Sequence, residues 1–104
     1  MTTPMMRSLD DVDRLIHEPA RLKLVALLYV LDSADFTFLM TQTGMTWGNL
    51  SAHMSKLEKA EYIQVVKTFK GKRPNTMLSL TDAGRAAFQA YRQQMQQLLD
   101  DLPE

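Results

Sequence analysis

Three groups of residues in this chain are of types that can do chemistry. Asp10, Asp11 and Asp13 form an acidic run. Ser51 and His53 set a hydroxyl and an imidazole two positions apart. Asn49, Ser51 and Lys56, followed by Lys70, Lys72 and Arg73, combine hydrogen-bonding groups with cations. The acidic run lacks the glycine and the downstream glutamate of a calcium loop. It reads as the first turn of a helix, where the dipole favours acids. Residues two apart on a helix lie roughly 200° around its axis, so Ser51 and His53 cannot form a nucleophile–base pair within one chain. The sequence has no glycine-rich phosphate loop and no His-Glu-x-x-His pattern. It has no cysteine, hence no disulfide frame and no thiolate metal site. No enzyme, cofactor or metal centre is expected. The third group fits a different chemistry: amides and hydroxyls reach base edges, and cations reach phosphates.

The 104 residues fit one domain, and their formal net charge is zero. The charge is nonetheless segregated. Residues 47–80 hold six cations against two acids, whereas residues 1–46 hold four against six and residues 81–104 two against four. A phosphate backbone feels local potential rather than the total. No apolar run is long enough to span a bilayer. The start, Met1 to Ser8, lacks the apolar segment of a secretory signal. A cytoplasmic protein without a membrane role is expected.

The elements that must position these residues follow from periodicity and capping. Residues 1–7 are expected to be a flexible tail, and Ser8 caps a short helix from Leu9 to Ile16 whose stripe includes Leu9 and Val12. Pro19 opens a second, buried helix. His17, alone at the junction between them, reads as a local hydrogen-bonding group. After a break at Asp32–Asp35, Phe36 is expected in a very short strand and Thr37 to cap a helix to about Gln42. Gly44 ends that helix in the left-handed conformation, and Thr46 caps the next. There Trp47, Leu50, Met54 and Leu57 share one face and should dock on the core. Gly48, Asn49, Ser51, Ala52, Ser55, Lys56 and Lys59 lie on the other side. They are small where a helix would enter a major groove and basic towards its end.

Tyr62 to Phe69 and Thr76 to Leu80 read as a hairpin, with Lys70-Gly-Lys-Arg-Pro-Asn75 as its basic tip. Lysines at a tip can simply guard an edge strand, but Arg73 beside a rigid proline favours a grip on a backbone or minor groove. Thr81 caps a last helix running to about Leu102. Its stripe of Ala87, Tyr91, Met95, Leu98 and Leu102, flanked by Phe88 and Leu99, is long for so small a body. Pairing with a second copy, aided by Leu9 and Val12, is expected.

Two motifs then carry a family resemblance. L-S-A-H-M-S-K-L-E-K-A-E-Y-I resembles the recognition helix of winged-helix transcription regulators of the MarR and ArsR type, approximately V-S-x-H-L-x-x-L-x-x-A-G-[LY]-[IV]. L-S-L-T-D-A-G-R-A-A-F resembles their second wing strand and following helix, L-T-x-x-G-R. W-G-N-L-S-A-H-M with F-K-G-K-R-P-N-T is similar to a stand-alone winged-helix subgroup near MarR. The resemblance covers residues 8–102. It implies an α+β fold, mainly α with a small β-hairpin. Residues 8–80 would form a winged helix-turn-helix and residues 81–104 a long dimerisation helix. It also implies a sequence-specific homodimer, a repressor, on a pseudo-palindromic double-stranded operator. Thr46, Trp47, Asn49, Ser51 and His53 would then meet bases or phosphates, Lys56 a phosphate, and Lys70, Lys72 and Arg73 the wing's share of the duplex. The rival reading is a winged helix used for protein contacts alone, such as an anti-repressor. Two departures stand out: the family glycine after the recognition helix is Glu61, and the cysteines or histidine cluster of the metal sensors are missing. No effector follows from the sequence.

Overall fold

The computed structural model describes residues 11–103. Seven elements follow in order: α1 (Pro19–Leu31), β1 (Ser33–Asp35), α2 (Phe36–Thr43), α3 (Trp47–Lys59), β2 (Ile63–Lys70), β3 (Arg73–Leu80) and α4 (Asp82–Asp101). The expectations for the tail, for Ser8 and for Leu9 fall outside the described residues.

Where a helix was expected up to Ile16, residues 11–16 form turns. Asp13 organises them. Its Oδ1 accepts from the backbone N–H groups of Leu15 and Ile16 at 2.9 and 3.1 Å, and its Oδ2 accepts from the Tyr62 hydroxyl. A side chain that accepts locally competes with helical bonding, so Asp13 is a structural anchor rather than part of a solvated first turn. Val12 and Ile16 still reach the core.

α1 starts where Glu18 accepts from the Arg21 N–H at 2.9 Å, with Pro19 in the first turn. It buries Leu24, Val25 and Leu28 completely. It ends at Asp32, which takes φ 65° and donates its N–H to Leu28. β1 then pairs with β3, Ala34 opposite Leu78, and the pairing stops at Asp35. Asp35 is therefore the N-cap of α2, accepting from the Phe38 N–H at 2.7 Å. Phe36 is the first helical residue rather than a strand residue, and Thr37 lies inside the helix. Gly44 closes α2 at φ 72° and Thr46 caps α3, both as expected.

The sheet order is β1-β3-β2, all antiparallel. β3 is longer than expected: Arg73, Pro74 and Asn75 pair with Lys70, Phe69 and Thr68, leaving only Gly71 and Lys72 as the turn. Gly71 supplies the positive φ, 66°, that a two-residue hairpin turn needs. Proline is tolerated at position 74 because β1 pairs only with Met77–Ser79, so β3 is an open edge on that side.

The core lies between the helices and the sheet, around Ile16, Leu24, Leu28, Leu39, Leu50, Leu57 and Leu78, each at most 1% exposed. α4 enters under Thr81, whose hydroxyl accepts from the Gly84 N–H at 2.9 Å. Phe88 and Tyr91, expected at a contact with a second copy, pack into the chain's own core. The first half of α4 buries its apolar face within its own chain. No described helix is long and apolar enough to cross a membrane.

Candidate nucleic-acid interface

α3 separates its two faces by spacing alone. Leu50 and Leu57 are fully buried and Met54 is half-buried. Thr46, Gly48, Asn49, Ala52, Ser55, Lys56 and Lys59 are exposed, and Ser51 is half-buried. The basic residues of the last turn are Lys56 and Lys59, so cations also complement the helix dipole there.

Two residues of this helix sit differently from expectation. Trp47 does not dock on the core. It is 67% exposed, with its ring tilted against Phe36 at 6.0 Å between centroids. One turn into the helix, the apolar stripe is carried by Leu50, and Trp47 lies beyond the core's edge. His53 lies three positions after Leu50 and so turns inward. Its Nδ1 is 3.2 Å from an Arg21 guanidinium nitrogen and 3.8 Å from the Glu18 carboxylate. Arginine can only donate, so Nδ1 is the acceptor in the contact with Arg21. His53 is thereby removed from the outward face and ties α3 to the start of α1.

Arg21 was missed by sequence reasoning. It is 9% exposed and donates from Nε to the Leu15 carbonyl at 2.6 Å. A buried arginine has no local signature, because its partners come from residues 15, 18 and 53. The Arg21 N–H, donating to Glu18, holds that carboxyl below its ordinary range. His17 makes its expected hydrogen bond, but not locally: the partner is the Tyr91 hydroxyl, 2.8 Å away.

In the hairpin, Lys67, Lys70, Lys72 and Arg73 are all exposed. Lys70 lies 4.0 Å from Asp35. Lys67, Lys72 and Arg73 have no acidic partner within 4 Å among the described residues. Trp47, at the head of α3, touches Phe36, and Lys70, at the tip of the hairpin, touches Asp35. The polar helix face and the basic hairpin therefore border the same two-residue segment. A cleft of about 550 Å³ lies there, lined by Asp35, Thr37, Phe38, Lys70, Arg73, Pro74 and Asn75.

At the far end of α4, Leu99 and Leu102 are 60% and 41% exposed. Ala87 and Met95 are half-buried, whereas Val12, Phe88, Tyr91 and Leu98 are buried.

A helix-turn-helix whose second helix carries a polar outer face, followed by a cationic hairpin, is the architecture of a winged helix. The chain belongs to the family described as winged helix DNA-binding domain, whose model matches residues 20–99. It is 33% identical over 85 residues to an uncharacterized protein from Methanocaldococcus jannaschii, covering 82% of this chain and 92% of that one. Among solved structures, a transcriptional regulator homologue protein from Pyrococcus horikoshii OT3 superposes with a TM-score of 0.86 at 25% identity, covering 93% of this chain and all of that one. A MarR mutant from E. coli, solved with operator DNA, shares the fold at a TM-score of 0.61 and 17% identity, over 92% of this chain and 77% of that one. The protein is thus a winged-helix DNA-binding domain that shares its fold with regulators of the MarR and ArsR families, and its family and fold point to a non-catalytic role.

Proposed function

We propose that two copies of this chain form a cytoplasmic repressor. Each copy lays α3 in a major groove and sets its hairpin, the wing, on the flanking backbone or minor groove. The observation that carries this reading is the shared border at Asp35–Phe36 between the head of α3 and the wing. It brings the hydrogen-bonding groups of α3 and the exposed cations of the wing to one side of that segment. On that side, Asn49 and Ser51 with Trp47 are the base-reading set, and Thr46, Lys56, Lys70, Lys72 and Arg73 hold phosphates. His53 is left out of the set, because it turns inward against Arg21 and Glu18.

The dimer rests on the end of α4. Leu99 and Leu102 expose apolar surface at the end of a 20-residue helix. The radius of gyration, 15.9 Å, exceeds the roughly 13 Å typical of a chain this long, as expected where elements project from the body. Met95, Leu99 and Leu102 are the contact residues of the proposed pair.

Binding to a generic duplex, followed by fluorescence anisotropy between 50 and 200 mM salt, tests the reading. Log affinity should fall steeply with log salt, and Lys72→Ala with Arg73→Ala should reduce the slope by about 2, near 0.9 for each phosphate released. A flat response of the wild-type chain would remove DNA as the partner. Leu99→Asp with Leu102→Asp should sediment as a monomer; a retained dimer mass would move the interface elsewhere.

A further inference from the structure

The wing carries more than charge. On β2 and β3, the cross-strand pairs Ile63–Leu80 and Val65–Leu78 face the core, with Ile63 and Leu78 buried. Alternation puts Lys67–Thr76 and then Phe69–Pro74 on that same face. Phe69 stands four residues beyond Val65, about 13 Å along the strand, and is 70% exposed. It is not overflow from the core, because the Lys67–Thr76 pair separates the two. Its cross-strand neighbour is a rigid, exposed proline. Residues 66–75 contain four cations, Lys67, Lys70, Lys72 and Arg73, and no acid.

We propose that the Phe69–Pro74 pair is an apolar wedge that enters the minor groove of bound DNA and partly unstacks a base step there. The inference rests on the wing binding DNA, as argued above. The cations decide the occupant. An exposed phenyl ring within a fourfold cationic hairpin fits a surface that is anionic outside and apolar within. A DNA groove is such a surface: phosphates line its rims and base faces open when a step is unstacked. Pyrimidine–purine steps unstack most easily, so the wedge adds a preference for a TA or CA step flanking the bases read by α3. It also bends the duplex. The proline, paired across the strands with Phe69, stiffens the backbone opposite the ring.

The test uses the full-length chain and a duplex selected by it from a random pool. Affinity, salt slope and end-to-end energy transfer across the duplex are measured for wild type, Phe69→Ala, Phe69→Leu and Lys72→Ala/Arg73→Ala. Phe69→Ala should weaken binding about tenfold and relax the bend while leaving the salt slope unchanged, since no charge is lost. Phe69→Leu should retain most of both. The double cation variant should lower the salt slope. If Phe69→Ala binds and bends DNA as wild type does while the double variant weakens binding, the wedge is refuted and the DNA-binding wing stands. If neither variant changes binding, the wing itself is off the DNA and both readings fall. If Phe69→Ala instead changes the sedimentation mass, or abolishes binding of an acidic peptide with DNA binding intact, Phe69 serves a protein contact and the proposal is overturned. Melting curves check folding, which an exposed tip position should leave unaltered.

Discussion

Tyr62 joins two regions of opposite character. On one side, the junction that ends α3 is locked from every direction. Tyr62 donates its N–H to Leu57 and Glu61 its N–H to Glu58, while Thr81 binds both carbonyls, through its hydroxyl to Glu61 and its N–H to Tyr62. The Tyr62 ring reaches Asp13. A Cβ added to Gly84 would stand 2.1 Å from the Tyr62 carbonyl oxygen. On the other side, the wing from Lys67 onward makes one ion pair, at 4.0 Å, and exposes an aromatic ring and four cations. The junction sets the angle at which α3 and the hairpin leave the body. Apart from the Lys70–Asp35 pair and a contact from Asn75 to the Met77 sulfur, the wing's side chains make no internal bond among the described residues, which leaves its ring and its other cations open to a partner. Stability and binding should therefore separate by mutation.

The largest effect expected is at Gly84. Any β-carbon there overlaps backbone that cannot turn aside, so Gly84→Ala should cost about 3 kcal/mol by denaturant titration. If stability stayed within 0.5 kcal/mol of wild type, the junction would not be the lock described. Asn49→Ala tests the opposite region. It should lose about 2 kcal/mol of binding on the cognate duplex, much less on a random one, and nothing in stability; equal losses on both duplexes would make Asn49 a phosphate contact.

Smaller effects refine the junction. Glu61 takes φ 63° in a helix-terminating motif that glycine usually occupies. Glu61→Gly should raise stability by about 1 kcal/mol, with binding unchanged. The alkaline limb of the stability curve is a finer probe. The hydrogen bond to Asp13, with burial second, raises the Tyr62 hydroxyl from an ordinary 10.0 to about 12. Its contribution is fully present below pH 10 and is lost as pH rises towards 12, because only the protonated hydroxyl can donate to the carboxylate. Tyr62→Phe should abolish that alkaline loss, whereas a substitution in the wing should leave it in place.

Three of the residues that terminate or cap elements were legible from the sequence. Thr46, Gly44 and Thr81 act within three or four positions of themselves, and the glycine expected after α3 is replaced by a glutamate that keeps the same left-handed turn. The outward face of α3 was legible for the same reason, since spacing around a helix is set locally. The inward turn of His53 was not legible, because its partner Arg21 lies 32 positions away in the chain. Asp35, not Thr37, caps α2 because β1 pairs with β3 from the other half of the chain.

From its order of residues alone, this chain determined the turn at Gly44, the caps at Thr46 and Thr81, and that its cations gather in and after the second helix of the turn. Those depend on torsional preference and on neighbours a few positions away. Only the tertiary structure decided that Asp13 holds Tyr62, that half the α4 stripe belongs to the core, and that Trp47 and Phe69 stand in the open. Each of those depends on what lies across space from a side chain, and that is known only once the whole chain has closed around its core.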